Sequence, residues 1–136
     1  MGEAVDAKVR EFLEHHHGAV VSTLRKDGTP HVARIDVGLV DGLLWSSASL
    51  DRVRTAHLRK DPRAALLVSD RNNQQHWLGL QCRVQILDGP EAPQQNLALY
   101  RAIAGEPHDL DEYLQAMVDE RRIIHQFDIE KAYGQY

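Results

Sequence analysis

The segment from Ser46 to Arg63 combines hydroxyl and guanidinium groups, which are frequent phosphate ligands in proteins. The hydroxyls of Ser46, Ser47 and Ser49 come first, and five basic and two acidic residues follow between positions 51 and 63, a local charge of +3 in a chain of net charge −4. A cationic cluster at the start of a helix attracts an anion through backbone N–H groups and the helix dipole. The pattern therefore predicts a phosphate site, and a solvated amphipathic helix is the alternative interpretation.

The elements that carry these groups follow from the local sequence. The apolar run 43–45 after the turn pair Asp41-Gly42 predicts a strand over 43–47 that ends at the hydroxyls. Asp51 is the expected N-cap of a short helix over 51–60, and Pro62 predicts its end at Asp61.

The segment resembles a known family. Its pattern S-S-x(4)-R-x-R-x(2)-H-L-R-K-D-P-R is similar to the phosphate-binding region of the pyridoxamine-phosphate-oxidase-like split barrels. Within that superfamily it most resembles the actinobacterial deazaflavin-dependent oxidoreductases, in which R-x-[KR]-x(2)-N-L-R-x-D-P-R recurs. The segment 99–124 is also similar to the helical segment and final strand of those proteins, so the resemblance extends over nearly the whole chain.

The resemblance implies a cofactor and the residues that bind it. The cofactor would be the deazaflavin coenzyme F420, an 8-hydroxy-5-deazaflavin, with FMN as the alternative. Ser47, Arg52 and Arg54 would bind its phosphate, and Arg59 or Lys60 would lie near the anionic oligoglutamyl tail. The complete set of residues implied in cofactor binding is Arg34, Asp36, Ser46, Ser47, Arg52, Arg54, His57, Arg59 and Lys60.

Arg34 and Asp36 enter this set because the corresponding strand lines the cofactor ring in the resembled family. Those relatives often have Asn or another small polar residue where Arg34 stands. Alternation places the two side chains on one face of the strand, and a solvent-facing ion pair is the alternative interpretation. In that family two protomers pair across the barrel with a cofactor in each groove between them, so the resemblance also implies a homodimer.

The rest of the chain predicts a mainly β fold with flanking helices. An amphipathic helix is expected over 6–16 with Val5 on its apolar face, followed by strands 19–24 and 31–40 around an Asp-Gly turn, strand 64–69, a polar loop 70–76 and strand 77–87. Two helices, over 93–104 and after Asp109 or Asp111, precede a last strand near 121–133. Six strands with helices outside are consistent with the implied homodimeric split barrel, as one domain over residues 1–136.

Several isolated residues invite other chemistry. His15, His16 and His17 are consecutive, so their side chains point in different directions and a metal site is disfavoured. Cys82 alternates with apolar residues and is expected in the core, as are Tyr113, Met117 and His125. Neither a Gly-rich dinucleotide fingerprint nor a hydrolase motif is present.

Composition narrows the function classes further. With 136 residues, 43% apolar and 26% charged, the chain is of ordinary globular composition, and its mild acidity argues against a nucleic-acid partner. A single cysteine and the lack of a long apolar run or signal-peptide pattern predict a cytoplasmic protein without membrane association.

Three functions remain open. One is an oxidoreductase that transfers a hydride between F420 and a small conjugated organic substrate, for which no catalytic side chain is required. The second is an FMN-dependent oxidase or reductase of the same fold. The third is a non-catalytic module that binds a flavin or tetrapyrrole.

Overall fold

The computed structural model describes residues 6–136. The helices are α1 (Ala7–His15), α2 (Val53–Lys60), α3 (Ala92–Ala104) and α4 (Leu110–Asp119). The strands are β1 (Gly18–Leu24), β2 (Pro30–Asp36), β3 (Gly38–Val40), β4 (Leu43–Ser49), β5 (Arg63–Asp70), β6 (Asn73–Leu87) and β7 (Arg122–Gln135).

The strands form one curled antiparallel sheet in the order β2-β1-β5-β6-β7-β4-β3. Alternate residues of the strands point inward, and the core contains Val21, Leu66, Leu80, Cys82 and Phe127 together with side chains of α1. Each such apolar side chain contributes about 1.5–3 kcal/mol on burial. The predicted fold class, a mainly β split barrel with flanking helices, is confirmed.

The number of strands is seven in the described chain, because the strand predicted over 31–40 is two strands. β2 pairs with β1, whereas β3 pairs with β4 at the other edge of the sheet. The crossing is at Val37, whose N–H donates to the His17 carbonyl at 2.8 Å and whose carbonyl accepts from His17 Nδ1 at 2.9 Å. Because the alternation of apolar and polar residues continues without interruption through Val37, the sequence did not indicate this change of pairing strand.

Helix α1 lies against the core through Val9, Phe12 and Leu13. Asp6 caps it, with Oδ1 accepting from the Val9 N–H at 3.0 Å. The helix predicted over 6–16 is one residue shorter at each end. Val5, which was expected on its apolar face, lies outside the described residues.

The polar tract 70–76 is not the loop that was predicted. The turn comprises only Arg71 and Asn72, and β6 begins at Asn73. Asx-type bonds stabilise this turn, such as that from the Asn72 N–H to Asp70 Oδ1 at 2.9 Å. The polarity of this tract therefore indicated that its side chains are exposed. It did not indicate that the backbone lacks strand structure.

Helix α2 ends as predicted, with the Asp61 N–H donating to the His57 carbonyl at 2.9 Å. The predicted N-cap is wrong: Arg52 occupies that position and no side chain caps the helix. Asp51 instead lies 3.4 Å from Arg121 Nη2.

Helices α3 and α4 pack beside β3, β4 and β7. Trp45, Leu99 and Ile124 form a second small core there. Asp109 caps α4, and Met117 is buried as expected, but Tyr113 is only half-buried and Leu110 and Val118 are exposed. Of the helices described, none has the length and apolarity needed to cross a membrane.

Candidate functional site

The end of β4 and the start of β7 bring hydroxyl and guanidinium groups together. Ser49 lies opposite Arg122, and Ser47 lies opposite Ile124, in the antiparallel pair. Residues opposite each other project from the same face, so Ser47, Ser49 and Arg122 share one surface. The Ser47 hydroxyl donates to Asn96 Oδ1 of α3. Ser46 points to the opposite face and is buried.

The amino end of α2 lies next to this surface. The helix starts without a side-chain cap and without an acidic residue in its first turn. Within residues 6–136, the N–H groups of Val53 and Arg54 donate to no other group. Unpaired N–H groups at a helix start are an anion-binding arrangement.

Three arginines concentrate positive charge at this point. Arg54 is half-buried, and its pKa is lowered by burial first and then by the charges of Arg52 and Arg122. The buried Nε of Arg122 makes no hydrogen bond, since the nearest Glu120 oxygen is 3.8 Å away. No carboxylate of the described chain lies within 4.0 Å of Arg52 or Arg54. A bound anion would relieve this repulsion and supply the missing acceptors.

Two histidines hold α2 in place. His57 Nδ1 is 2.9 Å from Thr23 Oγ1 on β1, and His125 Nε2 is 3.0 Å from Thr55 Oγ1. His125 is buried as expected, and its pKa is lowered to about 4 by burial and by the nearby charges of Arg54 and Arg59. It is therefore neutral at physiological pH and serves to position the helix.

His31 stands beside His57, with ring centroids 5.2 Å apart. Its Nδ1 is buried without a partner in the described chain, and its pKa is lowered by burial first and then by the charges of His57, Arg25 and Arg54. This residue lies at the start of β2, and its sequence context offered no signal for a role.

The basic residues beyond the first turn of α2 are mostly paired. Arg59 Nη2 lies 2.9 Å from Asp88 Oδ2, and Arg63 Nη2 lies 2.8 Å from Asp61 Oδ2. Arg63 also holds the pKa of Asp61 low, at about 2, through its hydrogen bonds. Lys60 is exposed and has no ion-pair partner among residues 6–136.

Arg34 and Asp36 lie elsewhere within the chain. They project from the face of β2 opposite His31 and line a cavity of about 1090 Å³ together with Gly18, Leu67, Trp77 and Ile103. No ion pair joins the two side chains in the described structure, so the solvent-facing pair considered from the sequence does not form. The residues of α2 do not line this cavity.

The sequence of this chain matches a known protein family over nearly its whole length. The model of the pyridoxamine 5'-phosphate oxidase family matches residues 5–136. The chain belongs to the pyridoxamine 5'-phosphate oxidase family.

Solved structures agree with this assignment. The fold is similar to that of the conserved hypothetical protein Rv2991 from Mycobacterium tuberculosis, with a TM-score of 0.79, 18% identity, and 96% of this chain and 83% of that chain covered. An F420 reductase gives a TM-score of 0.75 at 20% identity, with coverage of 96% and 100%. A putative pyridoxamine 5'-phosphate oxidase from Listeria innocua gives 0.68 at 15%, with coverage of 93% and 94%. At these identities the likeness shows a shared fold.

Three residues near the arginine cluster and Ser47 were not among the candidate site residues predicted from the sequence: Arg122, Asn96 and Gln95. Arg122 joins the arginine cluster only because β4 and β7 pair in the observed register. Asn96 is buried, bonds Ser47 and donates to the Ala92 carbonyl at 2.9 Å, and the buried Gln95 Oε1 has no partner within the described chain. Polar residues at apolar-face positions of α3 were the available signal.

Proposed function

We propose that the chain is an oxidoreductase that transfers a hydride between the deazaflavin coenzyme F420 and a small conjugated organic molecule. The observation that carries this proposal is the group of three arginines, Arg52, Arg54 and Arg122, at the uncapped amino end of α2. Two of the three belong to the phosphate set implied by the family resemblance, and the proximity of Arg122 to Arg54 supports including it as a third.

The chain's own residues would bind and orient the cofactor. Arg54 and Arg122 offer guanidinium donors that have no carboxylate partner at hydrogen-bonding distance among residues 6–136, and the Val53 and Arg54 N–H groups point along the axis of α2. Ser47 would exchange its bond to Asn96 for one to the phosphate. Burial of Arg54 strengthens each of these interactions because the surroundings are less polarisable than water.

The surroundings of the arginine cluster suit a reaction in which the protein orients the cofactor and does not exchange protons with it. Both nearby histidines of α2 and β7 are engaged with threonine hydroxyls, and His125 is held neutral. When bound, the deazaflavin ring supplies the hydride donor or acceptor, and the protein supplies binding and electrostatics. The hydride passes between the cofactor ring and the conjugated molecule, and water supplies or accepts the accompanying proton, so the reaction needs no acid or base from this cluster.

The choice of F420 rests on the similarity of segment 99–124 to the deazaflavin-dependent group and on Lys60, which is exposed and forms no ion pair with any residue of 6–136. The FMN alternative is favoured by a different observation. Asp88 and Asp61 already neutralise Arg59 and Arg63, which leaves fewer cations for a tail of several carboxylates. Both cofactors carry the phosphate that the arginine cluster would bind.

A turnover experiment tests the proposal. Reduced F420 and reduced FMN are supplied separately to the purified protein with a panel of conjugated acceptors, and loss of each reduced cofactor is followed by absorbance. We expect acceptor-dependent oxidation of F420 that is faster than with FMN. Tight binding of either cofactor without oxidation by any acceptor would favour the non-catalytic module instead.

A further inference from the structure

Two histidines and one aspartate meet where α1 ends and the β5–β6 hairpin turns. Asp70 Oδ2 lies 3.0 Å from His76 Nδ1 and 3.9 Å from His16 Nε2. The three ligand atoms all lie within 4.8 Å of one another. This His16–Asp70–His76 cluster lies outside the arginine cluster of α2.

An irregularity in the hairpin produces the arrangement. Asp70 pairs with Asn73, but the preceding residue, Ser69, already pairs with Trp77, so the register shifts between Ser69 and Asp70. The extra residues of β6 in this bulge include His76 and turn its ring toward Asp70. Bulges commonly redirect a side chain in this way.

The groups around the cluster fix its orientation. The Asn72 N–H donates to Asp70 Oδ1 at 2.9 Å, which leaves Oδ2 directed at the two imidazoles. The buried ring of Phe12 packs against both imidazoles, with centroid distances of 4.4 Å to His16 and 4.8 Å to His76. Metal sites in proteins have such outer partners, which orient the ligands and exclude water on one side.

We propose that His16, Asp70 and His76 bind a divalent first-row transition-metal ion such as Zn²⁺. Two imidazoles and one carboxylate are a ligand set that suits this class of ion. Bonds of about 2.0–2.1 Å to a tetrahedral ion place ligand atoms about 3.3 Å apart, which the three side chains reach by movements of about 1 Å or less. The ion would replace the hydrogen bond between His76 Nδ1 and Asp70 Oδ2, and the neutral imidazole would then carry its proton on Nε2.

The remaining coordination position is accessible. The side chains of His16, Asp70 and His76 are 20%, 16% and 39% exposed, and the first two line the 1090 Å³ cavity. Water or a small ligand completes the coordination from that side. Since the ligands come from the end of α1 and from both strands of the hairpin, the ion ties these elements together and stabilises the fold.

Metal binding by the untagged full chain tests this proposal without any cofactor. Zn²⁺ is titrated in competition with a chromophoric chelator, and Co²⁺ is added separately for its visible absorption. We expect one Zn²⁺ per chain, a rise in Tm on its addition, and Co²⁺ bands of four-coordinate intensity. The variants His76→Gln and Asp70→Asn, which keep a polar side chain of similar size, should each bind Zn²⁺ at least about tenfold more weakly.

The matched control is His15→Gln. His15 belongs to the same histidine run, but its Nδ1 lies 2.9 Å from the Glu11 carbonyl oxygen and it is outside the cluster. Its replacement should leave Zn²⁺ affinity unchanged. The proposal is overturned if the unmodified chain shows no saturable binding, or if His15→Gln loses affinity while His76→Gln keeps it, because the ion would then bind the histidine run and not the cluster.

Discussion

Arg54 is the side chain on which the proposed anion site depends most. It is half-buried, adjacent to two other guanidinium groups, and has no carboxylate within 4.0 Å in the described chain. A charged group left in this state costs free energy that a bound phosphate would recover.

We therefore expect Arg54→Ala and Arg52→Ala each to weaken cofactor binding by about 1.5–3 kcal/mol, the range of a charge-assisted hydrogen bond. Arg54→Ala should lie at the upper end because that guanidinium is the more buried of the two. Fluorescence titration of the purified variants measures the effect, and Arg10→Ala on exposed α1 is the control. Dissociation constants equal to that of the control would remove the phosphate assignment.

The lowered pKa of His125 leads to a prediction about how the stability of the fold depends on pH. The pKa of His125 is lowered to about 4 in the folded chain, whereas a histidine of the unfolded chain titrates near its ordinary pKa of about 6.5. Between these values the unfolded state binds more protons, so stability falls as pH decreases from about 6.5 to about 4, by about 3 kcal/mol at most from this residue.

Replacing His125 by Gln should remove this part of the acid sensitivity while keeping a polar partner for Thr55. Urea unfolding at a series of pH values measures it, with the exposed His108→Gln as the control. An identical pH dependence in His125→Gln and the unmodified chain would show that His125 is not the group responsible.

At the scale of single residues, the sequence predicted the positions of side chains that belong to a local motif or to the alternation of one strand. Cys82 and His125 followed a strict strand alternation and are buried as predicted. Arg52 and Arg54 stood in one motif and both lie at the start of α2, and their role in cofactor binding stays a prediction. Arg122 could not be grouped with them, because its proximity depends on a strand register between residues some seventy positions apart. The pairing of Arg59 with Asp88 likewise depends on tertiary structure.

At the scale of elements, the close packing of α3 on β3 fixes the edge of the sheet next to the site. A Cβ on Gly38 would lie 2.9 Å from Ile103 Cγ1 and 3.2 Å from Leu99 Cδ1. A methyl group added at Gly38 therefore requires the side chains of Ile103 and Leu99, or α3 itself, to shift.

We expect Gly38→Ala to destabilise the fold by about 1–3 kcal/mol, the usual cost of overpacking. Gly18→Ala is the matched control, since its Cβ would meet only Arg34 Nη2 at 3.8 Å. Chemical unfolding compares the two, and equal stabilities would contradict the close packing described here.

Elements with strong periodicity were predicted well, whereas those defined by a change of partner were not. The alternation of 31–40 continues through Val37, although the chain passes there from one sheet edge to the other. The tract 70–76 is polar yet continues the strands into a tight turn. Asp51 had the right chemistry for a cap, but the helix starts two residues later.

At the scale of the whole molecule, one face of the sheet remains exposed and partly apolar. Val32, Leu67 and Tyr133 are 65%, 41% and 47% exposed. Their register partners place them on the same face across β2, β1, β5, β6 and β7. Such a surface suits a second copy of the chain, consistent with the homodimer that the family resemblance implies.

We predict a dimer at micromolar concentration, with Leu67→Asp shifting the protein to a monomer because a buried carboxylate would lack a partner. Val118→Asp introduces the same charge at an exposed apolar residue of α4 and should leave the dimer intact. Light scattering measures the mass of each protein. A monomeric unmodified chain that still binds cofactor tightly would contradict this arrangement.

The most direct test of the proposed function is a pair of titrations of the unmodified protein with F420 and with FMN over a range of salt concentrations. We predict that F420 binds more tightly and that its binding weakens more with salt, because the exposed Lys60 adds an ion pair of about 0.2–1 kcal/mol to the shared phosphate site. Tighter binding of FMN at every ionic strength, together with no hydride transfer from reduced F420 to any acceptor, would contradict the account.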